Sequence, residues 1–181
     1  MLTVTIPDQE VFDEQKEQFV TIKGMKLQME HSLVSISKWE AKWHKSFFRE
    51  ERMTPAEMID YYRCMTITQN VPDYIYTCMP GDVVKQIAEY MNDPMTATVI
   101  TERKKKAKTS SETVTSELVY YWMTAYNIPT EFQKWHINRL ITLIRVCEAK
   151  NSEPEMMSKK DIAKQNAALN AARRKAHNSK G

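Results

Sequence analysis

The sequence predicts an α+β fold, mainly helical, in which a small N-terminal antiparallel sheet and a short β-hairpin pack with a helical core, followed by a basic C-terminal helix. Three observations lead there. Apolar and polar residues alternate with period two through residues 1–30, they recur at intervals of three and four from His31 onward, and basic residues collect at the end of the chain.

The strands are read from "LTVTIP" and "EQFVTIKGMKLQME", where Val20 and Ile22 and then Met25, Leu27 and Met29 alternate with polar neighbours, and Gly24 marks a turn or bulge. From His31 the apolar positions become Leu33, Ile36, Trp39, Trp43 and Phe47, one stripe along a helix. Thr54-Pro55-Ala56-Glu57 supplies an N-cap, a proline at the first helical position and an acid three residues after the cap, so a second helix starts there. It should carry Met58, Tyr61, Tyr62 and Met65 and end near Asn70 and Pro72. A third helix is expected from Asp82 to Met91, after the Pro80-Gly81 break, with Val83, Val84, Ile87, Ala88 and Met91 on one side. Ala97–Thr101 and Glu112–Thr115 read as two short strands joined by a basic, solvent-facing loop. "SELVYYWMTAYN" resumes helical spacing with Leu118, Tyr121, Trp122 and Ala125, and Pro129 stops it because proline cannot continue an established helix.

Thr130 with Gln133 reads as a capping box that opens the most apolar helix, Thr130 to Lys150. Its polar positions Lys134, Asn138, Thr142 and Arg145 form one narrow stripe, so the helix should lie in the middle of the domain. His136 falls in register with Leu140, Leu143 and Cys147 and is expected to be a hydrogen-bonded core residue. Cys147 lies about three turns further on, too far to act with His136 as nucleophile and base.

With 181 residues the chain suits one domain, residues 1–158, carrying a C-terminal arm, residues 159–181, that is helical or partly disordered. Charge separates the two. The arm holds Lys159, Lys160, Lys164, Arg173, Arg174, Lys175 and Lys180 against Asp161, a net of +6, so within the overall +3 the other 158 residues carry −3. A second basic cluster, Arg103, Lys104, Lys105, Lys106 and Lys108, falls in the loop between the two short strands. Both clusters suit acidic protein surfaces or polyanions and are the candidate partner-binding elements. Ser158 with Asp161 caps the arm helix, whose larger apolar residues are only Ile162 and Leu169, so it should be marginal without a partner.

Chemistry is harder to find. Only three glycines occur, so no glycine-rich loop can cradle a phosphate, and the four histidines lack metal-binding spacing; Glu40 with His44 reads as a surface pair. Neither a cofactor nor a metal is expected. Cys64, Cys78 and Cys147 are too few and too scattered for a disulfide framework and read as small core residues. The first residues are neither basic nor apolar enough for a signal peptide, and no run approaches the roughly 18 apolar residues of a membrane span. Trp39, Trp43, Tyr61, Tyr62, Tyr120, Tyr121 and Trp122 follow core spacing and lie apart from the basic clusters, which disfavours a nucleic-acid groove. Among twelve methionines, Met53, Met58, Met79, Met156 and Met157 sit near loops or helix edges, where a thioether suits an irregular partner.

The segments "MKLQMEHSLVSISKWEAKW", "MIDYYRCMTI", "MTATVIT", "ELVYYWMTAYNIPTEFQKWHINRLITLIRVCEAKN" and "ALNAARRKAHNSKG" resemble the tail assembly chaperone group of long-tailed bacteriophages over nearly the whole chain. The resemblance implies a non-enzymatic protein of the host cell cytoplasm or the virion that binds the tape measure protein and helps recruit tail tube subunits, with self-association as a further option. Such chaperones are mostly helical, whereas residues 1–30 here read as strands. That departure leaves a structural subunit of the particle, in the tail, baseplate or connector, as the alternative. A nucleic-acid-associated protein using the basic loop and arm is a third.

Overall fold

Period-two alternation in the first thirty residues builds a long antiparallel ribbon rather than a sheet of several strands. A computed structural model describes residues 1–13, 17–49, 52–99, 113–151 and 159–176. In it β1 (Leu2–Ile6) pairs with β4 (Met25–Met29), and β2 (Gln9–Asp13) pairs with β3 (Gln18–Ile22). Leu2 faces Met29 and Gln9 faces Ile22, so a single register runs through both pairs. The ladder pauses where that register sets Pro7 opposite Gly24, because proline has no N–H to donate. Gly24 is required there by close approach: a Cβ on it would lie 2.0 Å from the Ile6 carbonyl oxygen and 2.4 Å from the Pro7 carbonyl carbon. Asp8 Oδ1 accepts the Gly24 N–H at 2.7 Å in place of the missing ladder bond.

The two halves of the ribbon meet different surroundings. In the inner half Val4, Ile6, Leu27 and Met29 are buried on one face, and β1 packs against α4 (Gly81–Asn92). In the outer half Phe19 is 71% exposed and Phe12 49%. The short hairpin of the fold is thus this outer ribbon. At the place where sequence spacing put a hairpin, residues 97–99 and 113–115 are not strands, and 100–112 lie outside the described residues.

The helical body follows. α1 (Leu33–Trp43) and α2 (Pro55–Met65) pack together, each opened by a complete capping box, Ser32 with Ser35 and Thr54 with Glu57. α2 stops at Met65, short of Asn70, because Thr66 and Ile67 turn into extended chain beside β4: Ile67 N–H donates to Gln28 O at 2.8 Å and Glu30 N–H to Met65 O at 2.9 Å. A one-turn helix, α3 (Tyr74–Thr77), has no counterpart in the sequence reading and leads to α4, which buries Val83, Ile87 and Tyr90 and leaves Ala88 exposed. α5 (Ser116–Ala125) buries Ser116, Val119 and Met123, one position off the face expected from Leu118, Tyr121 and Trp122, and Tyr121 is exposed.

The expected helix from Thr130 to Lys150 is two elements. Thr130–Lys134 is a 3-10 turn without a side-chain cap, Trp135 is extended, and α6 begins at Ile137 and runs to Asn151. The break arises because His136 forms a bridge with Ser32 and Ile137 N–H donates to His31 O at 2.7 Å, so the first turn of α6 is fastened to the strand side of the molecule. α6 buries Ile137, Leu140 and Ile144 along one line, while Ile141, Leu143 and Cys147 are half-buried. It flanks the core rather than running through its middle. The chain divides into two units, Met1–Glu148 and Ala149–Gly181, and the second contains α7 (Lys159–Ala176).

Two carboxylates are buried inside the first unit. Glu40 is no surface partner of His44: its Oε1 accepts the Phe47 N–H and its Oε2 the Ser116 N–H, both at 2.7 Å. Ser116 begins α5, so the carboxylate sits where the helix dipole is positive and amide hydrogens are unpaired. Glu57 receives Lys45 Nζ at 2.8 Å, Thr54 N–H at 2.7 Å and the Arg49 guanidinium at 3.2 Å. The hydrogen bond from Lys45, followed by that from the Thr54 backbone, holds its carboxyl down at about 2.

Gly24→Ala should destabilise the fold by about 1 to 3 kcal/mol through backbone overlap, whereas Gly81→Ala, with nothing within 4 Å of the added carbon, should be neutral or slightly stabilising; urea melts of the two variants check this. Glu40→Ala should cost about 2 to 4 kcal/mol because two amide hydrogens lose their acceptor. Glu89→Ala, which removes only the exposed pair with Lys85, should stay within about 0.5 kcal/mol of the parent in the same melts.

Candidate functional site

The sequence points to basic residues as partner-binding elements, and the structure places those it describes on α7. Lys164, Arg173, Arg174 and Lys175 are exposed, as are residues 166–176 throughout, and Lys159 and Lys160 form the first turn. Arg173, Arg174 and Lys175 occupy the last turn, where cations meet unpaired carbonyls and the negative end of the helix dipole. Leu169, 48% exposed, is an apolar side chain presented by this helix. Arg103, Lys104, Lys105 and Lys106 lie outside the described residues, as do Met156 and Met157. Met53, Met58 and Met79 are partly buried against the core, so they do not form an open methionine surface.

A second cluster was not foreseen. His31 and His136 meet edge to face with ring centroids 5.0 Å apart, because the bridge between Ser32 and His136 draws their two chain segments together. Nδ1 of His31 shares a hydrogen bond with the Tyr61 hydroxyl, and Nε2 of His136 is 3.0 Å from the Tyr90 carbonyl, which fixes it as the protonated nitrogen, since a carbonyl only accepts. The Asn138 N–H then donates to His136 Nδ1 at 3.3 Å. The Tyr90 hydroxyl donates to Glu30 Oε1 at 2.5 Å, and the other oxygen of Glu30 meets the Met1 ammonium at 2.8 Å. Burial, with His136 beside it, pulls the His31 imidazole down to about 3, burial also lowers His136, and burial pushes the Tyr61 phenol up. The two imidazoles and the Tyr61 phenol are therefore uncharged near pH 7. His136 is the hydrogen-bonded core residue its spacing suggests.

His31 lines a cavity of about 390 Å³ together with Phe47, Phe48, Met58, Tyr62 and Met91, with Asn92 and Asn138 as its other polar lining. Among the described residues that line it there is no serine, threonine, cysteine or acidic side chain. What this arrangement can do is bind: apolar walls with a few neutral hydrogen-bonding groups. Cys64, Cys78 and Cys147 are free and half-buried, and burial raises the Cys64 thiol, which makes it less reactive. Among the described residues no group of histidines, cysteines and acids is arranged to hold a metal, and no helix is long and apolar enough to cross a membrane.

No family model, curated protein or solved structure matches the chain. Its own surfaces are what bear on its role. Those are the uncovered basic helix α7, the outer β-ribbon with Phe12 and Phe19, and the neutral cavity beside His31. Single-residue spacing could locate the first, through its charge. The other two arise from pairings between residues far apart in sequence, such as His31 with His136, which a linear pattern does not encode.

The histidine cluster makes stability depend on pH in a defined direction. The folded-state value of His31, about 3, lies below the ordinary 6.5, so the folded state disfavours the charged ring. Its contribution is complete above pH 6.5 and is lost as pH falls toward 3, with a limiting slope of about 1.4 kcal/mol per pH unit for each such group. His31→Gln should flatten the fall in urea-melt stability across that window relative to the parent; parallel curves would show that His31 does not carry it.

Proposed function

We propose that this chain is a non-enzymatic assembly adaptor of the tail-chaperone kind, which uses α7 to hold an acidic or helical segment of the tape measure protein or of tail tube subunits. The observation that carries the reading is α7 itself: eighteen helical residues whose described side chains are all exposed, with a cationic last turn and Leu169 facing solvent. A helix of that length and composition gains little from propensity alone, since most helical stability in proteins comes from burying one face. Its natural complement is a partner that covers Leu169 and neutralises Arg173, Arg174 and Lys175. The resemblance of the sequence to phage tail assembly chaperones supplies the class of partner.

A second reading, a structural subunit of the particle, is favoured by the outer ribbon. Among the described residues β2 and β3 form a two-stranded sheet whose outer edges pair with no other strand, and a neighbour can add one there. Whether purified mature particles contain the protein separates the two.

Removing residues 159–181 should reduce co-purification with co-expressed tape measure and tail tube proteins while leaving the melting temperature of the remaining chain nearly unchanged. Undiminished co-purification would show that the arm is not the binding element. A large drop in melting temperature would show that the arm is part of the fold.

A further inference from the structure

The outer ribbon combines an exposed aromatic pair with an excess of acidic residues. Phe12 and Phe19 pair directly across the strands and touch edge to face at 5.3 Å, and both remain open to solvent. The next pair on the same face sets Glu10 opposite Thr21, so an exposed carboxylate stands beside the aromatic pair. Between Gln9 and Ile22 the chain holds Glu10, Asp13, Glu14 and Glu17 against Lys16, a net charge of −3. An aromatic pair left in water at the end of a ribbon gains nothing for the fold it projects from.

The complementary surface exists on the same molecule. From Lys159 to Ala176 the chain carries six basic residues against Asp161, a net of +5. Leu169 and Arg173 are four residues apart and share one helical face, so that face offers an apolar group and a guanidinium at adjacent positions. Leu169 matches the Phe12–Phe19 pair, Arg173 can lie over an aromatic ring or pair with Glu10, and the remaining charges of the two elements attract.

We propose that the outer β-ribbon of one copy binds the α7 helix of a second copy, so that the protein associates head to tail with itself. The two surfaces differ, which makes the contact heterologous: each copy offers both a ribbon and a helix to its neighbours. Successive copies then add until a ring closes, or continue as an open chain. This goes beyond the adaptor reading and needs no other protein.

The test uses purified full-length protein. Sedimentation at increasing concentration should show a mass that rises above the monomer at low salt and returns to it at high salt, since opposite charges drive the contact. Two full-length variants disable one end each, Phe12→Ser with Phe19→Ser on the ribbon and Arg173→Glu with Arg174→Glu and Lys175→Glu on the helix. Each alone should associate at least about tenfold more weakly. Mixed, they should form a one-to-one pair that grows no further, because the intact helix of the first still fits the intact ribbon of the second. Should the ribbon variant fold poorly, Glu10→Lys with Glu17→Lys disables the same end without touching the aromatic pair. A protein that stays monomeric at every concentration and salt, variants that associate as well as the parent, or a mixture that forms no pair would each overturn the proposal; the first would include an arm that binds its own ribbon.

Discussion

The fold depends on the extended backbone from Gln28 to Ser32. Within five residues it pairs with β1, donates and accepts hydrogen bonds with the end of α2 through Met65 and Ile67, and receives the Ile137 N–H at the start of α6. Elements separated by more than a hundred positions are thereby held to one strip of chain. The same strip presents Glu30 to Tyr90 and His31 to Tyr61, so side-chain hydrogen bonds add α4 and the middle of α2 to the attachment. Met29, His31 and Ser32 of this strip are buried, and an unpaired backbone group at such a residue would cost about 1 to 3 kcal/mol. That cost explains why α2 ends where it does and why α6 begins late.

Much of the architecture was legible because it rests on local chemistry. The start of α2 follows from Thr54, Pro55 and Glu57, which act within one turn, and the inner ribbon follows from alternation that one buried face imposes. The stripe Leu33, Ile36 and Trp39 is likewise a property of one helix. Where the reading failed, the deciding partner lay far away. Thr130 and Gln133 satisfy a capping pattern, yet the bond from Ile137 to His31 sets the true helix start. Glu40 reads as a surface acid because its acceptor role toward Ser116 spans the whole middle of the chain. α5 turned out to bury Val119 and Met123 because a helix with apolar residues on several sides leaves its buried face to be chosen by its neighbours.

The candidate surfaces divide in the same way. The charge of the arm is visible in composition, since seven basic residues against one acid need no fold to be noticed. The exposure of Phe12 and Phe19 is the reverse of what their residue type suggests, and it becomes evident only once the ribbon is seen to outrun the core that covers its inner half. The histidine pair is a tertiary product too, built from two residues that each look unremarkable in their own segment.

The pause at Pro7 and Gly24 divides the ribbon energetically as well as geometrically. Amides of the inner ladder belong to the same cooperative unit as Leu27 and Met29 and can be released to solvent only when that core opens. The described side chains of the outer ladder are exposed or half-buried, and the missing bond at proline removes the link through which the inner pairs would protect its amides. The two ladders thus form separate opening units on one continuous strand pair, and amide hydrogen exchange would resolve them as slow and fast neighbours with only two residues between them.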